Sequence, residues 1–412
     1  MKRITFMNSR KKDQDALHLE IFAYVLALQM FVNFFSVVTK QFNLGDSSTV
    51  TIGMYALSLA YILFRVFHTI HWRDWGILLF IYSLVALNYC LFPETRSYLM
   101  DQSTLLVFVF FIPIAVFSTR KIRKWDNFFI VLDKYSLVTL LFALVIILFL
   151  DYKTYLVYMG FSYTLLPFVA ASYNVFRTQH STKSLVITLL GGVLMVVFGA
   201  RAAILFLLMY VLLFEVTRSD KSILFKFLSI IVFGSALLVI ASNLANIANH
   251  LLTVPMFKNS YFLRNIARDT LMESDSRDAL YELCKERIST MGKEITGLFG
   301  DRIYCAGEAY PHNFVYEILM SFGWGFGIIT LLSLAVLVVK TLFGIGRKKR
   351  DIAIYLLLTV FARYSISGSY LIEGKFWVVL FAMFALCKQL KKRADEGNTA
   401  QASVPSSDQL VA

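Results

Sequence analysis

The fold class the sequence predicts is all-α and membrane-embedded: a polytopic protein of about twelve transmembrane helices with one large external loop containing amphipathic helices. Three observations predict it. Of the 412 residues, 58% are hydrophobic and only 16% charged, whereas a soluble domain holds roughly 45–50% apolar and about 25% charged residues. A globular core of this size would still need a polar surface, and 38 Phe, 21 Tyr and 13 Met leave too few residues to build one. The chain also divides into apolar runs near the length that crosses a bilayer, about 20 residues at a rise of about 1.5 Å each. Finally, 40 Lys and Arg against 27 Asp and Glu give a formal charge of +13, and these bases gather on alternate connections.

The runs occupy positions 21–39, 51–67, 75–92, 104–118, 135–150, 155–176, 184–200, 202–216, 224–242, 314–339, 352–367 and 376–386. Several are short for a span, which bilayers accommodate by local thinning or protein burial. Short cytoplasmic loops carry the excess of Lys and Arg. One side holds Lys2 to Lys12, Arg65 and Arg73, Arg120 to Lys124, Arg177 and Lys183, Arg218 to Lys226, Lys340 to Arg350, and Lys388 to Arg393. The other short loops hold little more than Lys40, Arg96, Lys153, Arg201, Arg363 and Lys375. Both termini are therefore expected in the cytoplasm, and the basic charge is a topology signal and not a nucleic-acid footprint. The first run is long and lacks a small-residue cleavage pattern, so it reads as an uncleaved span. The expected divisions are a cytoplasmic segment 1–20, spans 21–242, a large external loop 243–311, spans 312–388 and a disordered cytoplasmic tail 389–412.

Residues 184–216 would form about 50 Å of helix, too long for one upright span. Basic residues flank both ends, so the segment must cross twice and turn at Gly199-Ala200-Arg201. Arg201 then lies just below the outer surface, facing protein, water or a bound anion, or else snorkelling to headgroups. The segment from Tyr158 through Tyr163 to Pro167 marks either a kinked helix lining a cavity or a packing face. Asp133 and Lys134, near the cytoplasmic start of the fifth run, are expected to pair or snorkel.

Function is expected on the one long external loop and the helix ends around it. Its bases, Arg264, Arg268, Arg277 and Arg302 among them, are matched by Asp and Glu, so a polybasic reading fails. Leu280, Cys284, Ile288, Met291 and Ile295 form one helical stripe. Asp275 or Ser276 can cap that helix. Arg277 lies in its first turn, where it either makes an anion site with the free helix N–H groups or pairs with Glu273 or Asp278. Cys284 and Cys305 lie on the oxidising side, either bridged or free. No Cys/His cluster has zinc spacing, so no metal is expected.

At the mouth of the loop, His312 and Asn313 precede the tenth run, with Glu317 about one turn further in. A His there suits proton transfer or a leaving phosphate, or is only an interfacial cap. Gly323, Gly325 and Gly327 suggest close helix packing, since no strand precedes them.

These features in this order resemble the O-antigen polymerase/ligase superfamily of bacterial membrane glycosyltransferases, the Wzy-type polymerases and WaaL-type ligases. The resemblance is carried by the turn Gly199-Ala200-Arg201, the single large loop, Ser276-Arg277 leading to Leu298-Phe299-Gly300, and His312-Asn313 with Glu317 before a Gly-rich span. Tyr158 to Pro167 resembles a stretch common in the polymerase branch. Ala200 and Ala202 stand where Ser and Gly are common, and Asp301 follows Gly300 where a second Gly two residues on is usual.

The resemblance implies a GT-C-like fold in the bacterial inner membrane. It implies an inverting-type transfer, independent of metal or cofactor, of a glycan from undecaprenyl pyrophosphate on the external face. Arg201, Arg277 and His312 would be catalytic, while Asn313, Glu317, Arg264, Arg268 and Tyr163 would bind substrate. A lipid-linked oligosaccharide would be the partner molecule, with a chain-length regulator and a flippase as partner proteins and no nucleic acid. The product would be O-antigen, capsule or exopolysaccharide. A ligase that moves finished polymer to lipid A core shares every residue named. A transporter or flippase would instead spread polar residues through the midplane of several helices.

Overall fold

In the computed structural model the described residues are 2–150, 159–217, 244–255, 257–258, 260–268, 275–291, 294–305, 310–344 and 346–402, with scattered positions from 222 to 235. Among them the fold is all-α, with no strand. The helices are α1 (Lys2–Gln41), α2 (Ser47–Val66), α3 (Trp72–Leu91), α4 (Arg96–Leu99), α5 (Gln102–Leu106), α6 (Ile112–Phe117), α7 (Phe128–Phe149) and α8 (Met159–Gln179). They continue as α9 (Thr182–Phe198), α10 (Arg201–Thr217), α11 (Leu244–Leu252), α12 (Tyr261–Ala267), α13 (Asp275–Met291), α14 (Phe314–Phe343), α15 (Arg347–Leu356) and α16 (Lys375–Ala402).

Six segments are long and apolar enough to cross a membrane, the architecture of a multi-pass membrane protein: Gln14–Gln41, Ser47–Thr69, Trp72–Leu91, Gln102–Lys121, Phe128–Phe149 and Phe314–Phe343. Thr182–Phe198 is apolar but shorter. Leu57, Phe64, Leu79 and Phe80 on α2 and α3 are exposed, an apolar surface suited to contact with lipid. The apolar run at 224–242 and the start of the run at 155–176 lie largely outside the described residues.

The sequence and the structure differ in detail at several places, each with a physical cause. The run at 104–118 is α5, a π-helical turn at Val107–Phe111 and α6. Pro113 carries no N–H and its ring crowds the carbonyl four residues back, so the ladder widens there. α16 continues to Ala402, past the point where the sequence suggests a disordered tail. Asp133 pairs with hydroxyls and not with Lys134: Ser172 donates to it at 2.6 Å and Ser184 at 3.1 Å. These bonds tie α7, α8 and α9 together, and a buried carboxylate needs such donors.

α8 is the hub, packed against α1, α7, α9 and α10. Its residues Phe161, Leu165, Leu166 and Val169 are buried with Leu194, Met195 and Phe198 of α9. The approach is close at Gly191, where an added Cβ would lie 2.4 Å from a Val169 methyl, whereas Gly192 faces open space. At the end of the bundle that the sequence assigns to the cytoplasm, Arg177 clamps Glu215 through bonds of 2.6 and 2.8 Å. Asp74 pairs there with both Arg120 and Lys121.

Gly191→Leu should therefore wedge α8 from α9 and lower stability by about 1–3 kcal/mol, the usual cost of overpacking. Gly192→Leu should leave the thermal midpoint in detergent almost unchanged. Equal midpoints for the two variants would contradict this packing.

Candidate functional site

The turn that carries Arg201 is built from both flanking helices. Gly199 ends α9 in the left-handed region at φ 77°, where any Cβ would be strained. Its N–H donates to the Met195 carbonyl at 3.0 Å. The Ser162 hydroxyl of α8 donates to that same carbonyl at 3.0 Å and accepts the Ala200 N–H at 3.4 Å. Phe161 stacks on Phe198 with centroids 4.9 Å apart. Arg201 thus begins α10 on an anchored backbone, half-buried beside the buried Ala200 and Ala203. The Ser260 hydroxyl donates to the Val196 carbonyl at 2.7 Å, which brings α12 to the same end of α9. Arg264 is half-buried on α12, and Arg268 at its C-terminal end is exposed.

The second half of the site surrounds the start of α14. Leu280, Cys284 and Ile288 of α13 are buried with Cys305 and Met320. Ile295 falls off that stripe because α13 ends at Met291, and it is exposed. Cys284 and Cys305 are free thiols in mutual contact, and their hydrogen bond lowers the first while it and burial raise the second. Arg277 lies in the first turn of α13, and its side chain lies outside the described residues.

α14 breaks at Gly323, which has φ 64° and ψ −176°. The loop before it fills the break: Thr296 and Gly297 donate N–H groups to the Ser321 carbonyl at 3.1 and 3.0 Å, and the Thr296 hydroxyl donates to that of Met320 at 2.6 Å. Of the three glycines, Gly323 serves backbone conformation, Gly325 faces open space and Gly327 lies close to Leu319 and Ile318 of its own helix.

His312 has φ 55°, a strained value for a residue with a Cβ. Its ring packs 4.2 Å from that of Tyr310. Asn313 caps α14, accepting the Val315 N–H at 2.9 Å. Glu317 is fully buried and faces inward: Arg302 donates to it at 3.4 Å, and the Ser369 hydroxyl donates to the same oxygen. Arg302 also donates to Ser369 at 2.9 Å and lies 3.5 Å from Asp301. Its guanidinium sits 4.8 Å from the Tyr310 ring centre, a cation–π contact. Burial pushes the Asp301 carboxyl up to about 6.

A short helical turn at Ala362–Ser365 packs against both α10 and α14 and so joins the two halves. Arg363 on it pairs with Glu373 at 2.9 Å and lies 4.5 Å from the Tyr163 ring centre. Burial raises the Glu373 carboxyl. Burial, with Arg363 alongside, holds the Lys375 ammonium down to about 7. Tyr310 lies between the two clusters, near enough to feel both Glu373 with Arg363 and Arg302 with Glu317.

Arg302, Arg363, Glu373 and Ser369 are additions to the residues that the sequence singles out. Arg363 had a visible signal, since a base interrupting an apolar run is a functional candidate by default. Arg302 had none, because it is one of many loop charges. Among the described residues no group of three or more His, Cys, Asp or Glu side chains could hold a metal ion. No protein-family model matches the chain, and no curated protein matches it significantly.

Arg302→Ala strands Glu317 and should cost about 3–5 kcal/mol, while replacing Arg302 and Glu317 together by Met should recover most of that loss. Denaturation midpoints of the three proteins check this. Asp301 gives a separate pH signature. Its raised folded value, about 6 against 3.8, means its stabilising contribution is complete below about pH 4 and lost as the pH rises through about 6. Asp301→Asn should therefore gain stability relative to the native chain over that interval, and parallel profiles would contradict the assignment.

Proposed function

We propose that the chain is a bacterial polysaccharide polymerase of the Wzy type. It moves a growing glycan from undecaprenyl pyrophosphate to the next lipid-linked repeat unit on the external face of the inner membrane. The observation that carries this reading is the convergence, through the Ala362–Ser365 turn, of the helix begun by Arg201 and the helix entered at His312. A cation and a titratable base at one end of an apolar bundle fit transfer from a lipid diphosphate. The full topology in this reading is about twelve spans in a GT-C-like arrangement with both termini cytoplasmic.

In the reaction, a hydroxyl of the acceptor sugar attacks the anomeric carbon of the donor glycan from the side opposite the diphosphate. The new C–O bond forms as the bond to the diphosphate oxygen breaks, and that bond's electron pair leaves on undecaprenyl pyrophosphate. Arg201 and Arg277 stabilise the charge that builds on the leaving oxygen, a role worth most where water is excluded. His312 takes the proton of the acceptor hydroxyl. Glu317 acts indirectly: its bonds to Arg302 and Ser369 fix the first turn of α14, which follows His312. Asn313 caps that turn.

The positions of the ion pairs among the described residues support an enzyme over a transporter. Asp74 with Arg120 and Lys121, Arg177 with Glu215, Arg302 with Glu317, and Arg363 with Glu373 all lie near helix ends.

Deleting the gene should leave surface lipid carrying at most one repeat, whereas loss of a ligase would leave polymer on undecaprenyl pyrophosphate. Unchanged glycan would contradict both. In complemented cells Arg201→Ala, Arg277→Ala and His312→Ala should each cut polymer by about 100-fold or more at normal protein level. Polymer that survives all three would remove the assigned roles.

A further inference from the structure

Arg363 combines three features. It is placed on the turn that touches both halves of the site. Its pair with Glu373 is not sealed, since both side chains keep about a quarter of their exposure, 24% and 22%. Its Nε is buried with no hydrogen-bond partner among the described residues. A guanidinium offers five donors in a plane, and Glu373 engages only the Nη1 side. The Tyr163 ring covers one face of that plane, which fixes its orientation. Lys375 stands close by, so Arg363, Lys375 and Glu373 together carry more positive than negative charge.

We propose that Arg363 is a diphosphate-binding residue and that Glu373 is the resident counter-anion which the diphosphate displaces. The inference rests on the polymerase reading, because that reading supplies a diphosphate at this face. Arg363 then holds the donor's diphosphate next to Arg201, whose neighbours Ala200, Ala202 and Ala203 share a cluster with Tyr163, Ala362 and Ile366. Once the product carrier leaves, Glu373 closes back on Arg363 and keeps the cation paired between turnovers. No bond is made or broken at this residue. It grips the leaving group, and the reacting carbon lies further along the donor.

The test is calorimetric titration of inorganic pyrophosphate into the full chain in neutral detergent. The native protein should bind it. Arg363→Ala should weaken binding by about tenfold or more, the loss of a charge-assisted bidentate contact. Glu373→Gln should tighten it, since the competing carboxylate is gone. The double variant Arg363→Gln, Glu373→Gln keeps a neutral hydrogen-bonded pair, so it should elute as the native protein does and still lose binding. Undecaprenyl pyrophosphate should displace the probe, and phosphatidylglycerol should not. An unchanged affinity in Arg363→Ala, weaker binding in Glu373→Gln, no binding by the native chain or equal displacement by phosphatidylglycerol would each overturn the proposal.

The two readings fail separately. Binding through Arg363 in a protein whose deletion leaves glycan unchanged would sink the polymerase and keep the anion site. Normal polymer in Arg363→Ala cells that need the gene would sink only this inference.

Discussion

A charge placed in an apolar bundle must bring its own counter-charge or donors, because nothing else there can solvate it. At the head of α14 this constraint takes the form of Arg302, buried against Glu317, Asp301 and Ser369. Three separate stretches of chain meet in that one contact: the turn after Gly300, the first turn of α14 and the segment before α16. Each alone would be an irregular loop end. Held together, they fix where α14 begins, and with it the strained backbone of His312. A left-handed φ at a residue with a Cβ persists only where its surroundings over-determine it, and the Asn313 cap and the Tyr310 ring complete those surroundings.

The Arg201 turn follows a different logic. No ion pair is needed to shape it, because Gly199 supplies the left-handed residue and the Ser162 hydroxyl satisfies both the Met195 carbonyl and the Ala200 N–H. Small residues at 200, 202 and 203 let α8 approach. The chemistry proposed for the site needs this division. A cation that stabilises a leaving group has to be presented on rigid backbone where substrate can reach it, whereas the charges that build the fold can be buried and closed. Arg201, half-buried, belongs to the first kind, and Arg302 to the second.

Much of the architecture was legible in composition and spacing. Within the described residues the apolar runs fall mainly on helices, six of them long enough to span a membrane, and the turn at Gly199-Ala200-Arg201 falls where the length of the segment required it. The stripe of Leu280, Cys284 and Ile288 is buried as its spacing implies. What stayed hidden depended on contacts distant in sequence. Glu317 looks like a neighbour of Asn313 on one helix face, yet its partners are Arg302 and Ser369. Asp133 looks like a partner for Lys134, yet two serines on other helices take it. The role of Gly323 was hidden for the same reason, since only the loop at 296–297 shows that the helix must open there. Periodicity reports which face is apolar, and it carries no information on which polar group crosses from elsewhere.

The proposed transfer of glycan from a lipid diphosphate can be followed in a reconstituted system. The protein in proteoliposomes would be given a synthetic undecaprenyl-pyrophosphate-linked repeat unit as both donor and acceptor, with released undecaprenyl pyrophosphate and glycan length measured together. A polymerase should yield glycans of two or more repeats, with one undecaprenyl pyrophosphate freed for each linkage formed. Full-length substrate recovered intact, with no carrier released by a correctly folded protein, would contradict the proposed transfer.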